Sequence, residues 1–158
     1  MKTKDRQLGI SLIEVLFIFL IIGIIAAVTV PNLLTATRSY KLLSASNALS
    51  QQLNNCRQLA VRENLFLKIR ILNNQSQIDI DRDDDFDSDD SEAVTISQQA
   101  TITPVTPTDG IVTFTSRGEI PNLTATPVFR VTFNNRQRLV TVNARGVVTV
   151  GTETSVTS

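Results

Sequence analysis

The 158-residue chain contains no histidine, no tryptophan and a single cysteine, Cys56. Without histidine, it cannot build a histidine-based catalytic triad, a histidine metal site or a histidine proton shuttle. One cysteine excludes an internal disulfide and leaves the redox compartment undetermined. The sequence also places no base near a candidate nucleophile. We therefore expect a protein that is not an enzyme and that needs no cofactor.

The formal charge of zero conceals an uneven distribution of charge. Residues 79–92 hold nine of the 15 acidic side chains and one of the 15 basic ones. The rest of the chain carries 14 basic and six acidic side chains, a surplus of eight positive charges. The net charge therefore gives no information on partners, and the acidic and basic segments have to be judged separately.

Residues 10–30 form an apolar run that is long enough to cross a membrane, since about 20 helical residues span the hydrocarbon core. The basic leader before it, MKTKDRQLG at residues 1–9, predicts a single-pass topology with the N-terminus in the cytoplasm. A secretory signal fits poorly, because its apolar region is shorter and ends at a small-residue cleavage site.

Glu14 interrupts this run only four residues after it begins. An acidic side chain at the centre of a membrane helix costs roughly 2.5–3.5 kcal/mol on insertion scales, and less near the edge. Position alone leaves two interpretations open. The carboxylate either reaches the lipid headgroups or meets a cationic partner within the membrane.

The string GISLIE, preceded by the basic leader and followed by an apolar helix with Pro31, resembles the class III signal of type IV pilins and type II secretion pseudopilins. The resemblance implies that a prepilin peptidase cuts between Gly9 and Ile10 and methylates the new amine of Ile10. It also implies that Glu14 is the family's assembly glutamate. The implied location is the bacterial inner membrane with the head in the periplasm. The implied partners are other pilins or pseudopilins, the prepilin peptidase and an inner-membrane assembly platform.

Cleavage would supply the partner that Glu14 lacks. The amine of Ile10 is cationic at neutral pH. In a bundle of apolar helices, Glu14 of one subunit can pair with the amine of its neighbour, which offsets the cost of burying either charge alone. We expect such a pair mainly to set the axial register between subunits.

Gly23 and Pro31 predict a kink in the apolar helix. Glycine lowers helix propensity, and proline lacks an amide hydrogen and clashes with the carbonyl four residues earlier. In pilin filaments the stretch before this proline can lose helical hydrogen bonds, and the resemblance implies the same here.

Residues 31–63 continue as the amphipathic half of the helix, which we expect to end near Glu63. Apolar residues recur there every three or four positions, as on a core-facing helical stripe. Cys56 falls on this stripe and is therefore expected to be a buried, inert thiol. The stripe consists of Leu42, Ala45, Leu49, Leu53, Cys56 and Ala60, widened by Leu43 and Leu59.

Residues 64–158 change to a period of two, which predicts a β-rich globular head. LKIRI is followed by NNQS and then by IDID, and this order predicts a hairpin. Breaks are predicted at TPVTPTDG, SRGEIPN, NNRQ and NARG. The fold class is α+β, with a long N-terminal helix packed against a mainly antiparallel sheet. Further strands are predicted at Ala93–Ser97, Ile111–Thr115, Val128–Phe133, Leu139–Asn143 and Val147–Val150.

The order of these elements resembles the H-type pseudopilins and FimT-like minor pilins. Major pilins usually close a C-terminal loop with a disulfide, which this chain cannot form. The resemblance implies a structural subunit that helps initiate or cap a type II secretion pseudopilus or a type IV pilus. Glu14 argues against the extreme-tip subunit, which typically lacks it in the secretion branch. An alternative is a membrane-anchored β-domain that does not polymerise.

The acidic turn at 79–92 has the ligand spacing of a calcium loop. An EF-hand is excluded, because Phe86 stands where the loop needs glycine and strands flank the turn. An irregular Ca²⁺ site and a solvated acidic turn both remain as interpretations. The candidate ligands are Asp81, Asp83, Asp85 and Asp87, followed by Asp89 and Glu92.

Arg136, Arg138 and Arg145 form a basic C-terminal group that could contact DNA phosphates. Some FimT-like minor pilins bind DNA through a G-R-x-R motif. Here Gly146 is followed by Val-Val-Thr, and Arg136-Gln137-Arg138 lacks the glycine. Arginines on the solvent face of strands explain the pattern better, and a DNA-binding minor pilin for natural transformation is kept as an alternative.

Overall fold

The structure, a computed structural model, describes residues 12–71, 77–82, 92–96, 100–121 and 125–156. These residues contain one helix and nine strands, and the chain divides into two compact units, Met1–Thr37 and Arg38–Ser158. The elements are α1 Leu12–Glu63, β1 Leu67–Ile71, β2 Gln77–Asp81, β3 Glu92–Thr95, β4 Thr101–Thr106, β5 Ile111–Phe114, β6 Val128–Phe133, β7 Arg136–Val142, β8 Val148–Val150 and β9 Thr154–Ser155.

The predicted end of the helix is confirmed, because α1 ends at Glu63. Asn64 adopts the left-handed conformation with φ 55°, which asparagine tolerates better than most residues. The amide of Leu65 then donates to the carbonyl of Ala60 at 3.1 Å. One of the open carbonyls at the helix end is thereby satisfied as the chain turns into β1.

The first sheet has four antiparallel strands in the order β3-β2-β1-β5. The predicted hairpin of β1 and β2 is confirmed, with Ile69 opposite Ile80. Alternate residues of β1 are buried. On the other face, Arg70 donates to the carboxylate of Asp79 at 2.7 Å, so the two-residue period separates a core face from a polar face.

The second sheet contains five antiparallel strands in the order β4-β6-β7-β8, with β9 also paired to β7. A two-residue turn, Asn134–Asn135, joins β6 to β7, with φ of 46° and 59°. Positive φ at both central residues is the type I′ geometry, whose twist matches that of the flanking strands. This turn places Arg136 at the first position of β7.

One hydrophobic core joins the head half of α1 to both sheets, and the predicted α+β class is confirmed. Phe114 of β5 and Phe129 of β6 are among the largest fully buried side chains. Ser46 is also fully buried, and its hydroxyl donates to the carbonyl of Leu42 at 2.8 Å, which keeps its burial inexpensive. The six residues of the predicted helical stripe are all buried: Leu42, Ala45, Leu49, Leu53, Cys56 and Ala60.

Two predicted breaks are wrong in part. The first half of TPVTPTDG belongs to β4, although Pro104 and Pro107 suggest a turn. Among the described strands, β4 is paired with β6, and a strand can contain a proline where that position donates no ladder bond. A register shift between Pro104 and Thr106 accompanies this proline.

The break predicted at NNRQ is too long, because Arg136 and Gln137 lie in β7. β7 therefore begins at Arg136 rather than at Leu139, and β9, which was not predicted, pairs with this polar end. The pairing partner, rather than local apolar periodicity, stabilises these residues as a strand. The remaining predicted strands correspond to β3, β5, β6 and β8 with small differences at their ends.

We expect Leu53→Ala to destabilise the head and Gln51→Ala, on the exposed face of α1, to leave its stability unchanged. Leu53 is fully buried, and such a truncation typically costs about 2–5 kcal/mol. An exposed substitution usually changes stability by less than about 0.5 kcal/mol. Urea unfolding of the full chain in detergent, followed by circular dichroism, measures both. Equal losses in the two variants would contradict the assignment of the helix faces.

Candidate functional site

The first part of α1 exposes an apolar surface on all sides. Its large apolar side chains between Leu12 and Leu34 are exposed by between 38% and 86%. In the described part of the chain, α1 is the one helix long and apolar enough to cross a membrane, and its most apolar window is not buried. A helix that is apolar on every face needs lipid or other chains around it.

Glu14 is the one charged residue between Leu12 and Thr37. It lies in the first turn of α1 and is exposed. The next charged residue on the helix is Arg38, roughly seven turns further on. The apolar part of α1 therefore offers its carboxylate no cationic partner. Gly9 and Ile10, the predicted cleavage and methylation residues, lie outside the described residues.

Gly23 and Pro31 both lie inside α1, which runs without interruption from Leu12 to Glu63. Pro31 has no amide hydrogen, so the carbonyl four residues earlier has no helical donor. Nearby, the side chains of Thr29 and Asn32 donate to the carbonyls four residues before them, at 2.8 and 3.2 Å. These bonds satisfy polar side chains within the apolar segment. The kink stays a prediction.

Only one of the four candidate calcium ligands, Asp81, lies in the described residues. It is the last residue of β2, is fully buried and stands opposite Lys68 of β1. Residues 79–81 belong to β2 and Glu92 to β3, so strands occupy both ends of the predicted acidic turn. Among the described residues, no three His, Cys, Asp or Glu side chains are grouped to hold a metal ion. Calcium binding stays a prediction, and Asp83, Asp85 and Asp87 lie outside the described residues.

Arg136 and Arg138 are engaged within the molecule. Both contact the carboxylate of Glu153, Arg136 through a short hydrogen bond and Arg138 at 3.7 Å. Arg138 also donates to the carbonyl of Gly151 at 2.9 Å. The side chains of Arg138 and Glu153 are only 19% and 20% exposed. The carboxylate of Glu153 thus pairs with two of the three arginines that were predicted to contact DNA. Both arginines are half-buried at the protein surface.

Ser39 connects this pair of arginines to α1. Its hydroxyl accepts a hydrogen bond from Arg136 at 2.6 Å and donates to Glu153 at 3.2 Å. We call Ser39, Arg136, Arg138 and Glu153 the Glu153 cluster. Backbone pairing of β9 with β7 brings Glu153 to this place. Sequence reasoning missed the cluster, because its members come from three separate segments that only folding brings together.

Arg145 lies apart from the Glu153 cluster, exposed in the turn between β7 and β8. The next residue, Gly146, has φ 72° and packs so closely that a Cβ would lie 2.1 Å from the carbonyl oxygen of Gly118. Arg57 of α1 donates to the same carbonyl at 3.0 Å. This contact joins the helix to two loops, and it explains why glycine occupies both loop positions.

We expect Glu153→Ala to lower the free energy of unfolding by about 1.5–3 kcal/mol, because the change leaves two half-buried guanidinium groups without their carboxylate. Glu119→Ala, which removes an acid from an exposed loop position, is the matched control and should have no effect. Urea unfolding compares the two. If both variants unfold like the parent chain, the Glu153 cluster does not stabilise the C-terminal segment.

Comparison with protein families identifies one relationship. The sequence model of the family described as type II transport protein GspH matches residues 45–146. This match covers well over half of the chain and extends from the second half of α1 to the turn after β7. Comparison with curated protein sequences gives no match.

Two solved structures resemble the chain, both of the type IV minor pilin FimU from Pseudomonas aeruginosa strain PAO1. The P2₁ crystal form gives a TM-score of 0.61 at 16% identity, covering 77% of this chain and 98% of FimU. The P6₅ form gives 0.60 at 16% identity, covering 73% and 100%. At this identity the likeness establishes a pilin-like fold. With the family match, it leads to one conclusion: the chain belongs to the GspH family of type II transport proteins, a pilin-like family that is structural rather than enzymatic.

Proposed function

We propose that the chain is a minor pilin or pseudopilin that helps initiate or cap a type II secretion pseudopilus or a type IV pilus. The observation that carries the proposal is Glu14, the single charge in an apolar helical segment that is exposed on all sides. The apolar surface requires lipid or other helices, and the carboxylate within it requires a cation. A bundle of processed subunits supplies both.

In this proposal, a prepilin peptidase removes residues 1–9 and methylates Ile10. The cationic amine of Ile10 in one subunit pairs with Glu14 of its neighbour. A relative shift of the two helices would separate the charges in surroundings where an unpaired charge is costly. The pair therefore selects one axial offset between subunits, and it disfavours a lone subunit in the membrane.

We further propose that the N-terminal leader stays in the cytoplasm and that the head is periplasmic. The three basic residues of the leader, Lys2, Lys4 and Arg6, support this orientation through the positive-inside rule. The inner-membrane assembly platform would then receive the subunit from the lipid. Glu14 supports a position below the extreme tip, since a subunit that joins a filament by this pair has a neighbour above it.

The DNA-binding alternative has less support. Arg136 and Arg138 are occupied by Glu153, which leaves Arg145 as the exposed member of the predicted group. Binding that is dominated by phosphate contacts requires several available cations. The non-polymerising alternative differs from our proposal in one measurable respect, because it requires no processing after Gly9.

We expect the chain from cells with an active prepilin peptidase to begin with N-methylated Ile10. N-terminal mass analysis of the purified protein measures this directly. Cells that lack the peptidase provide the control and should retain the chain from Met1. An unprocessed chain in peptidase-containing cells would favour the membrane-anchored domain that does not polymerise.

We expect Glu14→Ala to insert into the membrane and fold normally but to enter filaments at least about tenfold less, which corresponds to about 1.4 kcal/mol per contact. The physical reason is the loss of the anionic partner of the neighbouring amine. Quantitative blotting of sheared filaments and of membranes measures the ratio, with Glu119→Ala as the control. Incorporation of Glu14→Ala at the parental level would show that Glu14 has no role in assembly.

A further inference from the structure

Cationic and aromatic side chains follow the apolar part of α1 directly. Arg38 and Lys41 are exposed, and Tyr40, which stands between them, is 74% exposed. The sequence has no Asp or Glu between Glu14 and Glu63, so α1 itself places no acidic side chain beside these two cations. We call Arg38, Tyr40 and Lys41 the Arg38 group.

The Arg38 group lies at the level of a membrane surface when the apolar part of α1 spans the hydrocarbon core. Leu34 is the last large apolar residue of that part and is exposed. From Leu12 to Leu34 the helix is roughly 33 Å long, close to the thickness of the core at about 30 Å. Arg38 and Lys41 follow Leu34 by roughly 6 and 10 Å. The headgroup layer is about 5–8 Å thick on each side of the core, so both long side chains can reach it.

The head adds positive charge beside the Arg38 group. The Glu153 cluster includes Ser39 and combines two guanidinium groups with one carboxylate, a surplus of one positive charge. The Nζ of Lys41 lies 5.8 Å from the centre of the Phe133 ring, and this cation–π contact positions the lysine against β6 while it stays exposed. Together, Arg38, Lys41 and the Glu153 cluster carry a surplus of three positive charges.

The described start of the acidic turn lies at the opposite end of the head helix. Arg82, which directly follows β2, contacts the carboxylate of Glu63 at 3.7 Å, and Glu63 is the last residue of α1. From Arg38 to Glu63 the helix is roughly 38 Å long. An anionic surface can therefore meet the Arg38 group without meeting the start of the acidic turn.

We propose that the Arg38 group binds the headgroups of anionic phospholipids while α1 spans a membrane. Each cation near an anionic lipid surface strengthens binding about fivefold, and tyrosine is favoured at the membrane–water interface because its ring is amphipathic and its hydroxyl is polar. The spacing from Leu34 favours lipid over a soluble anion, because headgroups are the anions found at that level. Such a contact holds the head at the membrane surface before the subunit leaves the lipid.

This inference goes beyond the proposed function, since it requires neither processing after Gly9 nor entry into a filament. It rests on the proposed orientation only for the choice of leaflet, which would be the periplasmic leaflet of the inner membrane.

The absence of tryptophan from the chain allows a direct test. Tyr40→Trp gives the full chain a single tryptophan within the Arg38 group, and tryptophan favours the same interface. The chain is reconstituted in vesicles of phosphatidylcholine and phosphatidylglycerol, one of which carries a doxyl label at the top of its acyl chain. Quenching by each labelled lipid in turn measures their relative affinity for the site. We expect phosphatidylglycerol to be preferred at least about fivefold at low salt, and the preference to fall towards one as salt screens the charges.

Two further variants of the same reporter chain separate the Arg38 group from the general charge of the protein. Arg38→Gln combined with Lys41→Gln should reduce the preference to less than about twofold, because both exposed cations of the group are lost. Arg117→Gln is the matched control, since Arg117 is also exposed. It stands beside Gly118, which packs against Val61 near the other end of the helix, and its loss should leave the preference unchanged.

Equal quenching by the two lipids in the reporter chain would overturn the proposal, as would a preference that persists in the double variant. A greater loss of preference in phosphate than in chloride of equal ionic strength would also overturn it, because the cations would then bind a free anion. Neither the peptidase nor a filament takes part in this measurement, so its failure is distinct from failure of the proposed function.

Discussion

Burial of one helical stripe against two sheets holds the head together. The strands cannot do this alone, since β8 and β9 contain only three and two residues and pair at the edge of the second sheet. Each fully buried leucine of the stripe contributes about 1.5–3 kcal/mol through removal of apolar surface from water. Leu49 and Leu53 meet that description. Both sheets therefore pack against the same helix, and this contact positions them.

The same helix must suit two environments. Its first part is apolar on every face, and its second part has one apolar face that the sheets cover. The sheets of the head cover the apolar face after Arg38, whereas the apolar side chains before Arg38 are exposed. An apolar surface of that extent needs lipid or other chains around it.

Much of this arrangement could be predicted from local sequence, and the rest could not for physical reasons. The helical stripe and the hairpin of β1 and β2 are periodic over short segments, so the pattern alone predicts them. β4 and β9 are strands because a neighbouring strand pairs with them. Pro104 makes the segment of β4 look like a turn in the sequence, so local pattern does not predict this strand. The Glu153 cluster and the contact of Arg57 with Gly118 join residues that are distant in the chain. The assignment of Gly9, Ile10 and Glu14 depends on a motif, and periodicity contributes nothing to it.

The distribution of charge gives the head two kinds of surface. A count of arginines in the C-terminal half suggests a binding surface for anions, yet Arg136 and Arg138 are matched internally by Glu153. These two charges are therefore matched within the molecule, whereas Arg117, Arg130 and Arg145 are exposed. The exposed side of α1 within residues 42–56 has the opposite character, because no Asp, Glu, Lys or Arg lies in that stretch. Since an unpaired charge is costly to bury, close contact with this uncharged side of the helix avoids a penalty that the arginine-bearing strands would incur.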